Sequence, residues 1–316
     1  MDPRRAARYR RATETTRAGA RKNTMGLIYQ TARDWTVSRD KRLLFFGMSG
    51  LGKTHLATLL RNEGHWFHYS VDYRIGTAYM GEHISDNLKR QAMQVPFLAE
   101  LLKSDSIYIG SNITFDNLTP LSAYLGKPGN PDLGGLSFSE YMRRQDLHRR
   151  AEVNALLDTP HFITRARDLY GYPHFVCDTG GSICEVVDPD DPRDEVLKTL
   201  SQHTLMVWIE GDEDHTADLI HRFDRAPKPM YYQPRIMRQL WDDYKLERGI
   251  TAAGVVPDEF IRFAYGRAIR HRVPLYDAMA RNWGITVKAA DVATVRDATD
   301  VTELVAAGLE RHSQSA

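Results

Sequence analysis

The sequence predicts an α/β protein: a parallel β-sheet of about five strands, sandwiched by helices and carrying an inserted region. Three observations predict it. Short apolar, β-rich segments alternate with helical patterns, which implies parallel strands joined by helical crossovers. An early junction, Gly47-Met48-Ser49-Gly50-Leu51-Gly52-Lys53-Thr54, fits G-x-x-x-x-G-K-[ST], a loop that cradles phosphate between a strand and a helix. The interval between the second and third strands is too long for one crossover and has to host an insertion.

The elements follow in order. Gly26–Gln30 reads as a short strand or turn leading into the core. Strand one is about Leu43–Phe46, and the helix after the loop opens at His55–Arg61. Strand two is Trp66–Val71, where Phe67, Tyr69 and Val71 alternate with His68 and Ser70. The insertion spans roughly 85–136 and contains a helix over Asp86–Lys103, a strand over Ser106–Phe115, and a Gly/Pro-rich loop from Gly126 to Gly135 with the turn chemistry of a ligand-covering segment. Strand three is Pro173–Cys177, strand four Thr204–Glu210 and strand five Gly284–Lys288. Helical patterns fill 139–158, 160–170, 193–201, 214–224, 232–247, 257–281 and 300–311.

The glycines of 47–54 let backbone N–H groups turn inward as a nest for phosphate oxygens, and the helix beginning at Lys53 adds its positive end. All eight residues, Gly47, Met48, Ser49, Gly50, Leu51, Gly52, Lys53 and Thr54, are candidate nucleotide ligands. Lys53 is placed to reach the β- and γ-phosphates, and the Thr54 hydroxyl to sit on Mg²⁺. The expected ligands are therefore ATP or GTP with Mg²⁺. The fold expected around the loop is that of the P-loop NTPases.

Strand carboxyl ends face the ligand crevice of an open parallel sheet. Strand two ends at Asp72-Tyr73-Arg74. Asp72 is placed to hold or deprotonate a substrate hydroxyl, and Arg74 to hold an anion. Strand three ends at Asp178-Thr179-Gly180-Gly181-Ser182. Asp178 occupies the position of a carboxylate that holds Mg²⁺, and the glycines allow a ligand close to the backbone. Glu185 reads as a surface carboxylate. A segment over about 212–232 carries Arg222, Arg225 and Lys228 beside prolines, as suits a lid that brings cations to a phosphoryl group and excludes water. The dipole of the helix end explains one such cation, and three less well. His55, His65 and His68, the aromatic group Tyr231, Tyr232 and Trp241, and the lone Cys177 and Cys184 read as ordinary core or surface residues.

Bulk properties narrow the class. The chain has 316 residues, 42% hydrophobic and 26% charged, with no apolar run long enough to cross a bilayer. Two cysteines make neither a disulfide framework nor a zinc site, so a reducing cytoplasm is the expected home. Residues 1–24 carry eight basic and two acidic side chains, a net +6; the whole chain is +1, which leaves −5 for the remainder. That segment reads as a basic disordered tail or a start-site extension, ahead of one domain over 25–316. The acidic body argues against a broad nucleic-acid surface.

Several blocks, in their order, resemble the shikimate-kinase group of P-loop kinases, with gluconate and nucleoside monophosphate kinases as wider relatives. They are Gly47–Thr54, Ser70-Val71-Asp72, Arg149-Arg150-Ala151-Glu152, Thr179-Gly180-Gly181, Arg222 to Lys228, and Arg272-Val273-Pro274-Leu275-Tyr276. The resemblance implies that Asp72 contacts the acceptor hydroxyl, that Arg149, Gly180, Gly181 and Arg272 hold the acceptor, and that Arg225 is the lid arginine. It departs at Ser70, where that family has an Asp serving Mg²⁺, and at Ser182, where it has a third glycine. The expected activity is transfer of the γ-phosphoryl group of ATP to a small hydroxylated or phosphorylated metabolite, with Lys53, Asp72 and Arg225 catalytic and Thr54 and Asp178 on the metal. The alternatives are a P-loop ATPase acting as a switch or interaction module and, less in keeping with the charge, a polynucleotide-end kinase.

Overall fold

The structure is a computed structural model that describes residues 26–315. The expectation for 1–24 lies outside them. Five parallel strands form one sheet in the order β2-β3-β1-β4-β5. They are β1 (Arg42–Phe46), β2 (Trp66–Ser70), β3 (His174–Asp178), β4 (Leu205–Glu210) and β5 (Gly284–Lys288). All four ladders are parallel, with Leu44 opposite Cys177 on one side of β1 and Met206 on the other. Helices cover both faces, which is why β1, β3 and β4 are apolar and buried almost throughout.

A short helix, α1 (Ala32–Val37), precedes β1 and is capped reciprocally by Thr31 and Asp34. The helix α2 (Lys53–Asn62) follows the loop after β1. Because β3 and β2 lie on one side of β1 and β4 and β5 on the other, the direction in which strands are added reverses beside β1. That is the switch point at which open α/β sheets bind ligands.

The route from β2 to β3 is entirely helical and loop. It runs through α3 (Val71–Arg74), a π-helical turn (Ile75–Tyr79), α4 (Gly81–Ala92), α5 (Pro96–Lys103), α6 (Thr119–Leu125), α7 (Phe138–Leu157) and α8 (Thr159–Asp168). Two expectations fail here. The helix expected over Asp86–Lys103 is two helices, because Pro96 begins a new one and cannot continue the first. The strand expected over Ser106–Phe115 is loop, with one isolated bridge between Thr114 and Asn117. Its alternating apolar residues are used singly: Ile113 fills the space left by Gly76, Phe115 stacks on Tyr73 at 4.7 Å, and Tyr108 points to solvent. Gly26–Gln30 is likewise not a strand.

The remaining helices are α9 (Glu195–His203), α10 (Glu213–Arg225), α11 (Pro234–Arg248), α12 (Pro257–Trp283), α13 (Ala289–Val292) and α14 (Ala298–Ser315). One continuous core joins both sheet faces, from Trp35 and Trp66 to Phe260 and Tyr276. Among the described residues no helix is long and apolar enough to cross a membrane.

Candidate active site

The loop after β1 folds as a nest because three glycines take conformations that other residues resist. Gly47, Gly50 and Gly52 have φ of 136°, 83° and 99°. At Gly52 a side chain would also strike Val292, its Cβ 2.7 Å from the Val292 Cγ1. Lys53 opens α2 and is buried, its Nζ donating to the carbonyls of Gly47 and Met48 at 2.8 Å each. Burial lowers its ammonium to about 8, although Asp72 and Asp178 pull it upward.

Thr54 is exposed beside it, and its Oγ1 donates to Asp178 Oδ2 at 3.0 Å. Asp178 is buried at the end of β3, and its other oxygen, Oδ1, has no hydrogen-bond partner. His68 Nε2 stands 3.2 Å from that oxygen, close enough for an ion pair but out of line for a hydrogen bond. A buried, underused carboxylate oxygen beside a hydroxyl is a hard-oxygen donor set that suits Mg²⁺. Among the described residues no three His, Cys, Asp or Glu side chains gather to hold a metal. An ion on Thr54 and Asp178 would complete its shell with phosphate and water, as Mg²⁺ readily does.

These groups line a cavity of about 350 Å³ with Ser70, Asp72, Phe115 and Leu118. A second cavity of about 180 Å³ adjoins it. The two share Ser49, Asp72, Leu118 and Gly181 as walls. Asp72, in the single turn of α3, therefore faces both spaces. Burial and the nearby charge of Asp178 push its carboxyl up to about 6, against the pull of Lys53. Gly180 packs on it so closely that a Cβ there would lie 2.5 Å from Asp72 Oδ1.

Arg272 of α12 lines the second cavity and is buried. Its Nε donates to Glu185 Oε1 at 2.7 Å, and its Nη2 to the Tyr231 carbonyl at 2.8 Å. Glu185, read from the sequence as a surface carboxylate, is buried; its Oε2 accepts from the Gln233 N–H at 2.6 Å. Gln145 of α7 completes this clasp on the chain between α10 and α11, accepting from the Tyr232 N–H at 2.9 Å.

The structure separates other residues that the sequence grouped. Arg149 lies outside both cavities. The buried face of α7 runs through Arg144, Gln145, His148 and Glu152, and one residue step turns Arg149 about 100° away. It pairs with Asp146 at 3.5 Å, mostly in solvent. His148 and Glu152 take the inward places. Glu152 accepts from Ser182 Oγ at 2.9 Å on both oxygens, and burial with the charge of Asp72 pushes its carboxyl up to about 8. Burial lowers the His148 imidazole to about 4. Arg74 also turns away from the cavities, bonded to Asp158 at 2.8 Å and lying over Phe162.

Arg225 ends α10, is exposed, and lines neither cavity. Arg222, one turn earlier, is the cation that meets the phosphate loop: a Cβ on Gly50 would stand 3.4 Å from Arg222 Nη2. Four participants therefore went unassigned in the sequence: His68, His148, Glu185 and the local role of Arg222. For His68 and Glu185 a signal existed, namely a single polar residue inside an apolar run.

Comparison with known proteins adds little to this geometry. No family model matches the chain, and no curated protein matches it. Among solved structures it is similar to shikimate kinase from Bacteroides thetaiotaomicron, at 12% identity over 87% of this chain and 97% of that one. The TM-score is 0.34, too low to carry any functional inference.

Proposed function

We propose that this chain is an ATP-dependent phosphotransferase, moving the γ-phosphoryl group to a small hydroxylated or phosphorylated metabolite. The observation that carries the reading is the pair of adjoining cavities with Asp72 between them. The phosphate-loop lining of one suits a polyphosphate, and the smaller size of the other suits a small second molecule.

In this reading the amides of 47–54 hold the polyphosphate. Lys53 leaves the Gly47 and Met48 carbonyls for the β- and γ-phosphates. Thr54 and Asp178 hold Mg²⁺, which neutralises charge on the phosphate oxygens. Asp72 accepts the hydrogen of the acceptor hydroxyl. The new O–P bond forms as the bridging bond to the β-phosphate breaks, and the proton passes to Asp72. A carboxyl near 6 is ionised at neutral pH yet basic enough for that task. The segment 212–232 closes as a lid and brings Arg222, with Arg225 and Lys228 behind it, to the transferring group. Two buried cysteine thiols, Cys177 and Cys184, accord with a reducing cytoplasm.

ADP release, measured with and without a pool of small metabolites, tests the reading. A phosphotransferase releases little ADP until an acceptor is supplied. Equal release without the pool would identify an ATPase of the switch type. Absence of magnesium-nucleotide affinity by calorimetry would overturn both.

A further inference from the structure

We infer that the second cavity takes an uncharged alcohol in preference to a carboxylate or phosphate ester, because Glu185 already occupies the charge of Arg272. The inference rests on the phosphotransferase reading and narrows its acceptor.

Among the described residues, Arg272 is the only cationic side chain lining that cavity. An arginine recognises an anion through two parallel N–H donors. Here Nε is committed to Glu185 and Nη2 to the Tyr231 carbonyl. Nη1 faces the cavity, 3.9 Å from where a Cβ on Gly181 would stand. Three of the five N–H groups of Arg272 remain as donors, but on a cation whose charge Glu185 already matches. Glu185 and Arg272 are both almost wholly buried, so their charges compensate each other in a poorly screened place.

The rest of the wall adds no cation. Leu118, Leu121, Leu125, Pro229 and Met230 form an apolar side. His148, lowered to about 4, is uncharged at neutral pH, and so is Glu152, which stands behind the lining residue Ser182 and is raised to about 8. Asp72 is the charge the acceptor meets at the mouth, and it repels an anion. Cost decides the preference: an anionic group here would lose its water to meet a cation whose charge Glu185 already matches. An alcohol gives up less and finds Asp72 as acceptor and Arg272 Nη1 as donor. The cavity, at about 180 Å³, is below the range of drug-sized pockets, so the alcohol is small.

The test uses the full chain saturated with a non-hydrolysable magnesium–ATP analogue, whose γ-phosphate fills the transfer position, and three matched probes. They are 1,2-cyclohexanediol, 3,4-dihydroxycyclohexane carboxylate and the monophosphate of the diol, with binding read by ligand-observed NMR. The diol is expected to bind at least tenfold tighter than either anion. In E185Q, shown to be folded by circular dichroism, that preference is expected to shrink at least tenfold toward the anions, since Arg272 regains its free charge. Tighter binding of either anion to the wild-type chain overturns the inference. So does silence from all three probes, or a folded E185Q with unchanged preference. If E185Q does not fold, the wild-type comparison decides alone. Failure of the phosphotransferase reading shows separately, as ADP release from ATP that no acceptor stimulates.

Discussion

Asp72 and Lys53 carry opposite charges across the same small space, and their displaced titrations set a working range. Asp72 is ionised above about 6, and Lys53 keeps its proton below about 8. The pH profile of kcat/KM is therefore expected to be bell-shaped, with limbs near those values, since it reports the free protein. Lys53 must be charged to bind phosphate, so magnesium-nucleotide affinity should fall as pH rises through about 8. K53M should bind weakly with no such fall, and calorimetry at several pH values would show either outcome. Arg222 supplies a second contrast. It lies against Gly50, whereas Arg225 sits at the exposed helix end. A lid arginine in phosphoryl transfer is worth roughly 10³–10⁵ in rate. R222A should lower kcat at least tenfold more than R225A; equal effects would return the role to Arg225. The motif made Lys53 and Thr54 legible because spacing alone fixes their backbone positions. Arg222 and Arg149 were not, since which way a helical side chain faces depends on what the helix packs against.

At the scale of elements, the lid we propose depends on a narrow attachment. The helix α10 packs mainly on α12, where Phe223 lies flat against Tyr265 with ring centres 3.7 Å apart. Segments held by few apolar contacts open locally, well below the global free energy. F223A should therefore speed amide exchange across 213–225 and raise the KM for ATP, leaving β1 and β4 protected. Uniform acceleration across the sheet would mean that α10 is part of the global core. The attachment was invisible in the sequence, because Phe223 and Tyr265 are far apart along the chain. The strands were visible: five apolar runs bounded by turn residues fall within a residue or so of β1 to β5. The failures cluster between β2 and β3. There Ser106–Phe115 alternates like a strand, yet its apolar residues are anchored one at a time on Gly76, His68 and Tyr73. Periodicity reports which residues seek burial; it does not report whether a neighbouring strand is there to pair with them.

For the whole molecule, Glu152 makes stability depend on pH in a window of its own. Its carboxyl titrates near 4.5 in the unfolded chain and near 8 when folded. Between those values the folded state keeps a proton that the unfolded state has released, so stability falls as pH rises; above about 8 the loss is complete. Other displaced groups act elsewhere. His148 titrates at about 4 folded and 6.5 unfolded, so it adds stability as pH rises to 6.5 and nothing beyond. Asp72 subtracts only up to about 6, and Lys53 adds only above about 8. The range from 6.5 to 8 is thus left chiefly to Glu152. A single group changes stability by at most about 1.4 kcal/mol per pH unit, so the loss across that range is about 1–2 kcal/mol. For a chain of 316 residues that corresponds to a drop in Tm of roughly 2–3 °C. E152Q cannot ionise and can still accept from Ser182 through its amide oxygen. Its Tm should stay level from pH 6.5 to 8 while the wild-type value declines. Parallel declines would show that Glu152 gives up its proton on folding at little cost, and that the floor beneath Ser182 is wetter than its burial implies.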